Sequence, residues 1–273
     1  MTKTVLITGC SSGIGRATAQ EFLDTEWEVY ATARDTEDIE GLETAGAHTA
    51  RLDVTRSAHV ERVVERIVEE QGRIDCLVNN AGYGKLGPVE DVTPQEAQQQ
   101  FDVNVFGPHR LIRSVLPHMR EEGDGTIINV SSVLGRISMP GTGIYSGSKF
   151  ALEAMSDALR VEVDEFGIDV VLVEPGPVKT KFNDRVEDEL DELERTAAYE
   201  GFYELFDDTV LIGSDTFGAV TPERVAEDIV EAAFSPNPHT RYQVGKPAEL
   251  GEYARFIPAN WIDFLYRQAR RFL

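Results

Sequence analysis

The chain has 273 residues, 41% hydrophobic and 27% charged, a composition that supports a substantial core and excludes long disorder. Asp and Glu total 48 against 26 Lys and Arg, and the net charge of -22 repels nucleic acid and anionic lipid, which excludes a polyanion partner. Lysine occurs only at 3, 85, 149, 179, 181 and 246; high acidity with few lysines fits a protein adapted to molar salt, the alternative being an ordinary acidic cytosolic enzyme.

Short β-branched apolar runs alternate with amphipathic segments along most of the chain. The first run, Thr4–Thr8, begins too early to leave room for a charged leader, so a cytoplasmic protein is expected. It leads into Thr8-Gly9-Cys10-Ser11-Ser12-Gly13-Ile14-Gly15 and a predicted helix over Arg16–Asp24. Glycines there let the backbone turn tightly and approach a pyrophosphate, which free N–H groups at the helix start would hold. The spacing is Gly-x-x-x-Gly-x-Gly rather than Gly-x-Gly-x-x-Gly, and its place after the first strand reads as a dinucleotide site.

The second run, Glu28–Ala33, ends in Arg34-Asp35. In NAD enzymes an acid at this strand end binds the ribose 2′-hydroxyl. Here Ala33 holds that place and Arg34 offers a guanidinium suited to a 2′-phosphate, which points to NADP(H) in preference to NAD(H). Asp35, in another register, would serve the ribose instead.

The third run, His48–Val54, precedes Ala58–Gln71, where Val60, Val63, Val64, Ile67 and Val68 follow helical spacing. The fourth, Ile74–Asn79, runs into Asn80-Ala81-Gly82, and Asn104 falls in a helical stretch beyond it. The fifth, Thr126–Ser131, ends beside Ser132, and a helix opening near Tyr145 and Lys149 continues to Gly167. The sixth, Ile168–Glu174, ends in Pro175-Gly176-Pro177-Val178-Lys179-Thr180; a weaker seventh is Arg241–Val244.

Strands apolar on both faces and separated by helices imply an α/β doubly wound, Rossmann-type parallel sheet of about seven strands. With no repeat or linker, residues 1–273 read as a single domain. Two segments fall outside the alternation. Within 183–217 an acidic helix places Val186, Leu190, Leu193 and Ala197 on one face and is expected to close over substrate as a lid. In the tail, 250–273, Asn260 is the expected N-cap of a helix with Ile262, Leu265, Tyr266 and Ala269 on one face. Trp261, Phe264, Phe272 and Leu273 leave apolar surface elsewhere, for the active-site mouth, a partner subunit or a membrane surface. Membrane contact is not expected, although Arg267, Arg270 and Arg271 permit it, and no run reaches the ~20 apolar residues of a span.

Tyr145 and Lys149, four apart on a helix, share one face. A nearby ammonium favours the phenolate and is expected to lower the tyrosine pKa toward working pH, as a general acid requires. That pair alone is a weak signal, but Ser132, Asn80 and the Pro175–Thr180 turn gather at the carboxyl edge of the same sheet, where open α/β folds bind ligands. Strand alternation turns Ser131 to the other face if Ser132 faces the crevice.

These motifs, in this order and spacing, resemble the single-domain short-chain dehydrogenase/reductase family over roughly residues 3–182. "VLITGCSSGIG", "VYATARD" and "YSGSKFALEA" look most like its 17β-hydroxysteroid and retinol dehydrogenase branch. The resemblance implies Tyr145 as proton donor or acceptor and Lys149 lowering its pKa while holding the nicotinamide ribose. It also implies that Ser132 orients the substrate oxygen and that Asn104 supports Lys149 and a water-linked relay. Asp53 and Val54 would flank the adenine, Asn80, Ala81 and Gly82 the adenosine and ribose, and Val178 and Thr180 the carboxamide. Ser11, Ser12 and Ile14, with Gly9, Gly13 and Gly15, would line the first turn, and Pro175 and Gly176 the last. An Arg at the Arg34 position accompanies NADP preference in that branch. A homodimer or homotetramer joined through the helices carrying Asn104 and Tyr145 is also implied.

Cys10 reads as a small filler, since no base partners it, and two cysteines make no disulfide framework. The histidines at 48, 59, 109, 118 and 239 lack ligand spacing, so no metal is expected. Phe202, Phe206, Leu211, Ile212 and Phe217 suggest a hydrophobic substrate. The expected function is NADP(H)-dependent reduction of a ketone or aldehyde, or oxidation of the alcohol. The alternative is a nucleotide-sensing protein on the same fold.

Overall fold

All five residues of β1 (Thr4–Thr8) are buried, and its three apolar residues divide between two clusters. Val5 and Ile7 join one, Leu6 the other, as period-two alternation in a strand covered on both faces requires. The same division separates Val29 and Ala31 from Tyr30 on β2 (Glu28–Ala33), and Val78 from Leu77 on β4 (Cys76–Asn79). Each fully buried Val, Leu or Ile contributes about 1.5–3 kcal/mol, so the two clusters dominate the energetics.

The computed structural model describes residues 2–180, 182, 186, 189–190, 193–208, 218–254 and 256–272. Among them, β1, β2, β3 (His48–Arg51), β4, β5 (Gly125–Val130), β6 (Ile168–Pro175) and β7 (Arg241–Val244) form one seven-stranded sheet, in the order β3-β2-β1-β4-β5-β6-β7. Every pairing is parallel. The order reverses between β1 and β4, which opens a crevice at their carboxyl ends. This is the Rossmann-like sheet that the alternation of strands and helices implies.

Helix α1 (Gly13–Leu23) follows β1, α2 (Glu40–Thr44) leads to β3, and α3 (Ser57–Gln71) crosses back to β4. Beyond β4 come α4 (Pro94–Phe101) and α5 (Gly107–Glu122), joined by a π-helical turn, Asp102–Phe106. α6 (Gly143–Val163) bridges β5 and β6. α7 (Glu200–Asp208) and α8 (Pro222–Phe234) precede β7, and α9 (Lys246–Ala254) and α10 (Ala259–Phe272) follow it. Val60, Val63, Val64 and Ile67 of α3 pack beneath the sheet as their spacing predicts, and Val225 and Ile229 of α8 cover the other face.

Four local expectations are corrected. The third strand ends at Arg51 instead of Val54, and the fourth starts at Cys76 instead of Ile74. The acidic stripe does not run as one helix to Ala197. Val186, Leu190 and Leu193 are buried, but the chain bends at Leu193, and a 3-10 turn over Ala197–Tyr199 leaves Ala197 exposed. Asn260 is not the cap of the tail helix, because α10 already begins at Ala259; Trp261 N–H donates to the Pro258 carbonyl at 2.9 Å. Pro suits a helix start because its missing N–H is one the first turn does not use. Of the residues offered for an apolar substrate, Leu211, Ile212 and Phe217 lie outside the described residues, as does most of the segment 183–192.

Candidate active site

The crevice is a cleft of about 1020 Å³ along the carboxyl edge of the sheet, at the upper end of the ~300–1,000 Å³ typical of ligand pockets. At its first end, Thr8 staples two strands together. Its Oγ1 accepts from the N–H groups of Asn80 and Ala81, each at 3.0 Å, while Asn80 Nδ2 donates to the Thr8 carbonyl at 2.8 Å. The turn from Gly9 to α1 passes over this staple. Gly9 has φ 75° and Gly13 φ 55°, a region L side chains rarely adopt. A Cβ on Gly9 would stand 2.9 Å from Ala81 Cα, and one on Gly13 would stand 3.0 Å from Thr180 Cγ2. Gly15 packs directly on Asn80 Nδ2. The turn is therefore a bare backbone cradle at a helix N-terminus, the arrangement that holds a pyrophosphate. Ser11, Ser12 and Ile14 line it.

Arg34 lies exposed at the end of β2 and lines the same cleft. Asp35 turns away: its Oδ1 accepts from Glu37 N–H at 3.1 Å and caps the following turn. Asp53, Val54, Asn80, Ala81 and Gly82 line the next stretch of wall. Burial raises the Asp53 pKa, but donation from the Thr55 N–H and hydroxyl at 3.0 and 2.7 Å, with the Arg56 guanidinium, outweighs it and holds the carboxyl below its ordinary range.

At the second end, Ser132 caps a 3-10 turn over Val133–Gly135, its Oγ accepting from Leu134 N–H at 3.1 Å. Tyr145 and Lys149 project from the first turns of α6 into the cleft beside it. Burial pushes the Tyr145 phenol up to about 12, against a hydrogen bond from the Ser132 hydroxyl that lowers it. Lys149 Nζ donates to the Val130 carbonyl at 2.9 Å and stands 5.8 Å from the centre of the Tyr145 ring. Burial pulls this ammonium down to about 8, with the Glu153 carboxylate opposing. The two groups are neighbours as expected, but burial moves the tyrosine up and not down. Lys149 is buried and Tyr145 half-buried, and desolvation, which disfavours each charged form, is the largest cause acting on both.

Asn104 sits beneath the cleft, in the π-helical turn, with 1% exposure. Its side chain grips the Tyr83 backbone from both sides, accepting from N–H and donating to C=O at 2.8 Å each, and donates to Ser148 Oγ at 3.0 Å. Ser148 in turn donates to the Tyr145 carbonyl at 2.7 Å. Asn104 therefore ties the wall at Tyr83 to helix α6 through Ser148. Pro175, Gly176, Val178 and Thr180 close the cleft on the β6 side, where Gly176 N–H donates to the Val244 carbonyl at 3.0 Å and Val178 pairs with Val220. Cys10 is fully buried, its thiol pushed up to about 12 by burial, and is inert filler.

An apolar cluster of Leu86, Val186, Leu190, Leu193 and Tyr203 stands over this end, with Tyr145 and Phe182 packed against it. Sequence reasoning missed what pins it. Lys85, 2% exposed, donates from Nζ to Glu189 Oε2 and Glu96 Oε1, each at 2.9 Å, and to the Glu189 carbonyl at 2.8 Å. Tyr83 OH reaches the same Glu189 carboxylate at 2.9 Å, and Tyr203 OH donates to Asp91 Oδ2 at 2.6 Å. The rarity of lysine in this chain was the one available signal for Lys85. The tail also meets this mouth: Tyr266 OH donates to the Ser138 carbonyl at 3.5 Å, in the loop that lines the cleft with Ile137, Met139 and Pro140.

The family model for short chain dehydrogenases matches residues 3–191. Over 266 residues the chain is 36% identical to 3-ketodihydrosphingosine reductase of Bacteroides thetaiotaomicron, covering 96% of each. Over 253 residues it is 38% identical to 17-beta-hydroxysteroid dehydrogenase type 1 of Homo sapiens, covering 87% of this chain and 76% of the relative. A solved short-chain dehydrogenase from Streptomyces avermitilis is similar with a TM-score of 0.83 at 32% identity, covering 99% of this chain and 98% of the other. The chain belongs to the short-chain dehydrogenase family and is an NAD(P)-dependent oxidoreductase acting on CH–OH or carbonyl groups.

Proposed function

We propose that the protein is an NADP(H)-dependent reductase of hydrophobic ketones or aldehydes, with Tyr145 as the general acid. The observation that carries this reading is the meeting of Ser132, Tyr145 and Lys149 in one cleft, with the apolar cluster of Leu86, Val186 and Leu190 packed against Tyr145. Burial holds the phenol up to about 12, so it carries a proton at working pH; giving that proton to a carbonyl oxygen calls for its pKa to fall toward working pH as substrate and nucleotide bind. When bound, the nicotinamide supplies the hydride, or accepts it in the reverse direction.

The residues divide the remaining work. Gly9, Gly13 and the start of α1 offer backbone N–H groups to the pyrophosphate, and Arg34, freed of competition from Asp35, faces the place of a 2′-phosphate. Ser132 and Tyr145 orient the substrate oxygen and stabilise the negative charge that grows on it. Lys149 steadies that charge with its ammonium, and Asn104 fixes the wall at Tyr83. Leu86, Phe182 and Val186 contact the apolar body of the substrate and exclude water.

The same reading covers the setting: a small carbonyl or alcohol as partner, a cytoplasm rich in salt, and a homodimer or homotetramer. Phe106, Phe150 and Val161 support the assembly, since they leave apolar surface exposed by 50%, 43% and 79% on and beside the two helices expected to meet. Among the described residues no helix is long and apolar enough to cross a membrane.

The test is consumption of NADPH and NADH against a panel of ketones and aldehydes graded from polar to apolar. Turnover rising with apolar length and favouring NADPH is expected. Turnover of small polar ketones alone would overturn the substrate class, and binding of NADPH without turnover on any carbonyl would favour a nucleotide sensor.

A further inference from the structure

Behind the catalytic helix lies a buried cluster of charge that takes no part in the chemistry so far described. Glu153 follows Lys149 by four residues on α6, as Lys149 follows Tyr145, so the three occupy one helical face. Glu153 is 5% exposed and Glu174, on β6, 1% exposed. Arg241 of β7 bridges them, donating from Nη2 to Glu153 Oε2 at 3.0 Å and from Nε to Glu174 Oε1 at 2.9 Å. It also reaches Asp157, one turn further along α6, at 2.8 Å. Arg136, in the turn after Ser132, approaches the two glutamates at 3.7 and 4.0 Å. Ser131 faces Glu153 from the end of β5 without ordinary hydrogen-bond geometry.

None of Glu153, Glu174, Arg136 or Arg241 lines the cleft. Two buried carboxylates are a poor device for stability alone, since apolar side chains of like volume in place of a buried ion pair are often neutral or stabilising. Three polar atoms meet here buried and without a hydrogen-bond partner: Ser131 Oγ, Arg136 Nε and Glu153 Oε1. Burial and the charge of Glu174 push Glu153 up to about 7, with Ser131 and Arg241 opposing. Glu153 is also the one group acting against the desolvation of Lys149. Once protonated, its carboxyl has an O–H to offer the orphaned Ser131 hydroxyl, at the cost of the counter-charge behind Lys149.

We propose that Glu153 is a positioning residue for the reaction: clamped by Arg241 one turn behind Lys149, its carboxylate sustains the Lys149 ammonium and ties the Ser131–Arg136 turn, which carries Ser132, to the catalytic helix. Glu153 meets neither substrate nor cofactor and acts through Lys149 and that turn. The proposal rests on the reading that the Lys149 ammonium serves the reaction.

The experiment is the pH dependence of kcat/KM for the wild type, E153Q, E174Q, R241M and K149M, with nucleotide affinity measured alongside. Loss of the Glu153 charge in E153Q moves the alkaline limb down by about one pH unit, the order expected of one charge a helical turn away at an effective dielectric of about 20. E174Q relieves the repulsion on Glu153 and moves the acid limb down; R241M removes its counter-ion and moves the acid limb up. Nucleotide affinity stays within about twofold in E153Q. An E153Q profile that falls uniformly, with both limbs where the wild type has them, would overturn the proposal. Limbs moving in the same direction in E174Q and R241M would do so as well, and that pair decides the matter if E153Q fails to fold. Turnover persisting in K149M would instead overturn the reading of Lys149, and the proposal with it.

Discussion

Lys149 donates from Nζ to the Val130 carbonyl at 2.9 Å while standing 5.8 Å from the centre of the Tyr145 ring. The ammonium is thus anchored to the end of the strand that carries Ser132, and burial has drawn its pKa down to about 8. If the reaction uses the charged form, kcat/KM falls as pH rises through about 8. Stability runs the other way. The folded pKa lies below the ordinary 10.5, so folding penalises the protonated form, and stability is gained as pH rises from about 8 toward 10.5. Glu153 has the opposite sign. Its folded pKa is raised from 4.5 to about 7, so stability is lost as pH rises across that window. Thermal melts and pH–rate profiles on the same preparation check both signs.

Arg34 is the one cation of the cleft wall at the end of β2, and Asp35 is spent on the turn at Glu37. Arg34→Ala is expected to weaken NADPH binding by about 10- to 100-fold, the worth of a charge-assisted hydrogen bond, and to leave NADH nearly unchanged. Titration of both nucleotides against both proteins measures it; an equal loss for the two would place Arg34 outside the 2′-phosphate site.

The roof over Tyr145 is fastened by Lys85 to Glu189 and by Tyr203 to Asp91. Tyr203→Phe strips one donor from a carboxylate whose Oδ1 is already buried without a partner, a loss of about 1–3 kcal/mol of stability. Lys85→Met frees Glu189 and is expected to raise KM for apolar carbonyls by about tenfold, with a smaller change in kcat. Equal falls in kcat and kcat/KM would show that the fastening serves the chemistry and not the enclosure of substrate.

A net charge of -22 makes self-repulsion a cost at low salt. The melting temperature is expected to climb as salt rises from about 0.1 to 2 M, where screening shrinks to a few ångströms. A flat or falling curve would mark an ordinary acidic protein.

What could be read from the chain and what could not divide along physical lines. The glycine turn, the Asn80 segment, Ser132, Tyr145 and Lys149 are local motifs at strand ends, and a doubly wound sheet carries strand ends to one edge, so their meeting followed from the alternation itself. Direction of titration did not follow. Four residues of helix say that Tyr145 and Lys149 are neighbours, but only packing says how dry they are, and dryness decided both pKa values. Asn104 falls in a helical stretch by sequence, yet the π turn that aims it at Tyr83 has no compositional mark. The clamp on Lys85 joins α4 to Glu189 across 93 residues of α4-to-roof sequence, counted from Glu96 to Glu189, which no periodicity reports. Ala197 fitted the apolar spacing of the roof and lies exposed, because the bend at Leu193 broke the helix before reaching it.

The central claim is that the Tyr145 phenol delivers the proton to the substrate oxygen, and Tyr145→Phe tests it most directly. Nucleotide affinity and turnover of an apolar ketone are measured on the same two proteins, at low and at molar salt. Turnover falling by about 10²-fold or more, with NADPH bound as tightly as before, is the predicted result. Turnover within a few-fold of the wild type would contradict the account and assign the proton to another group.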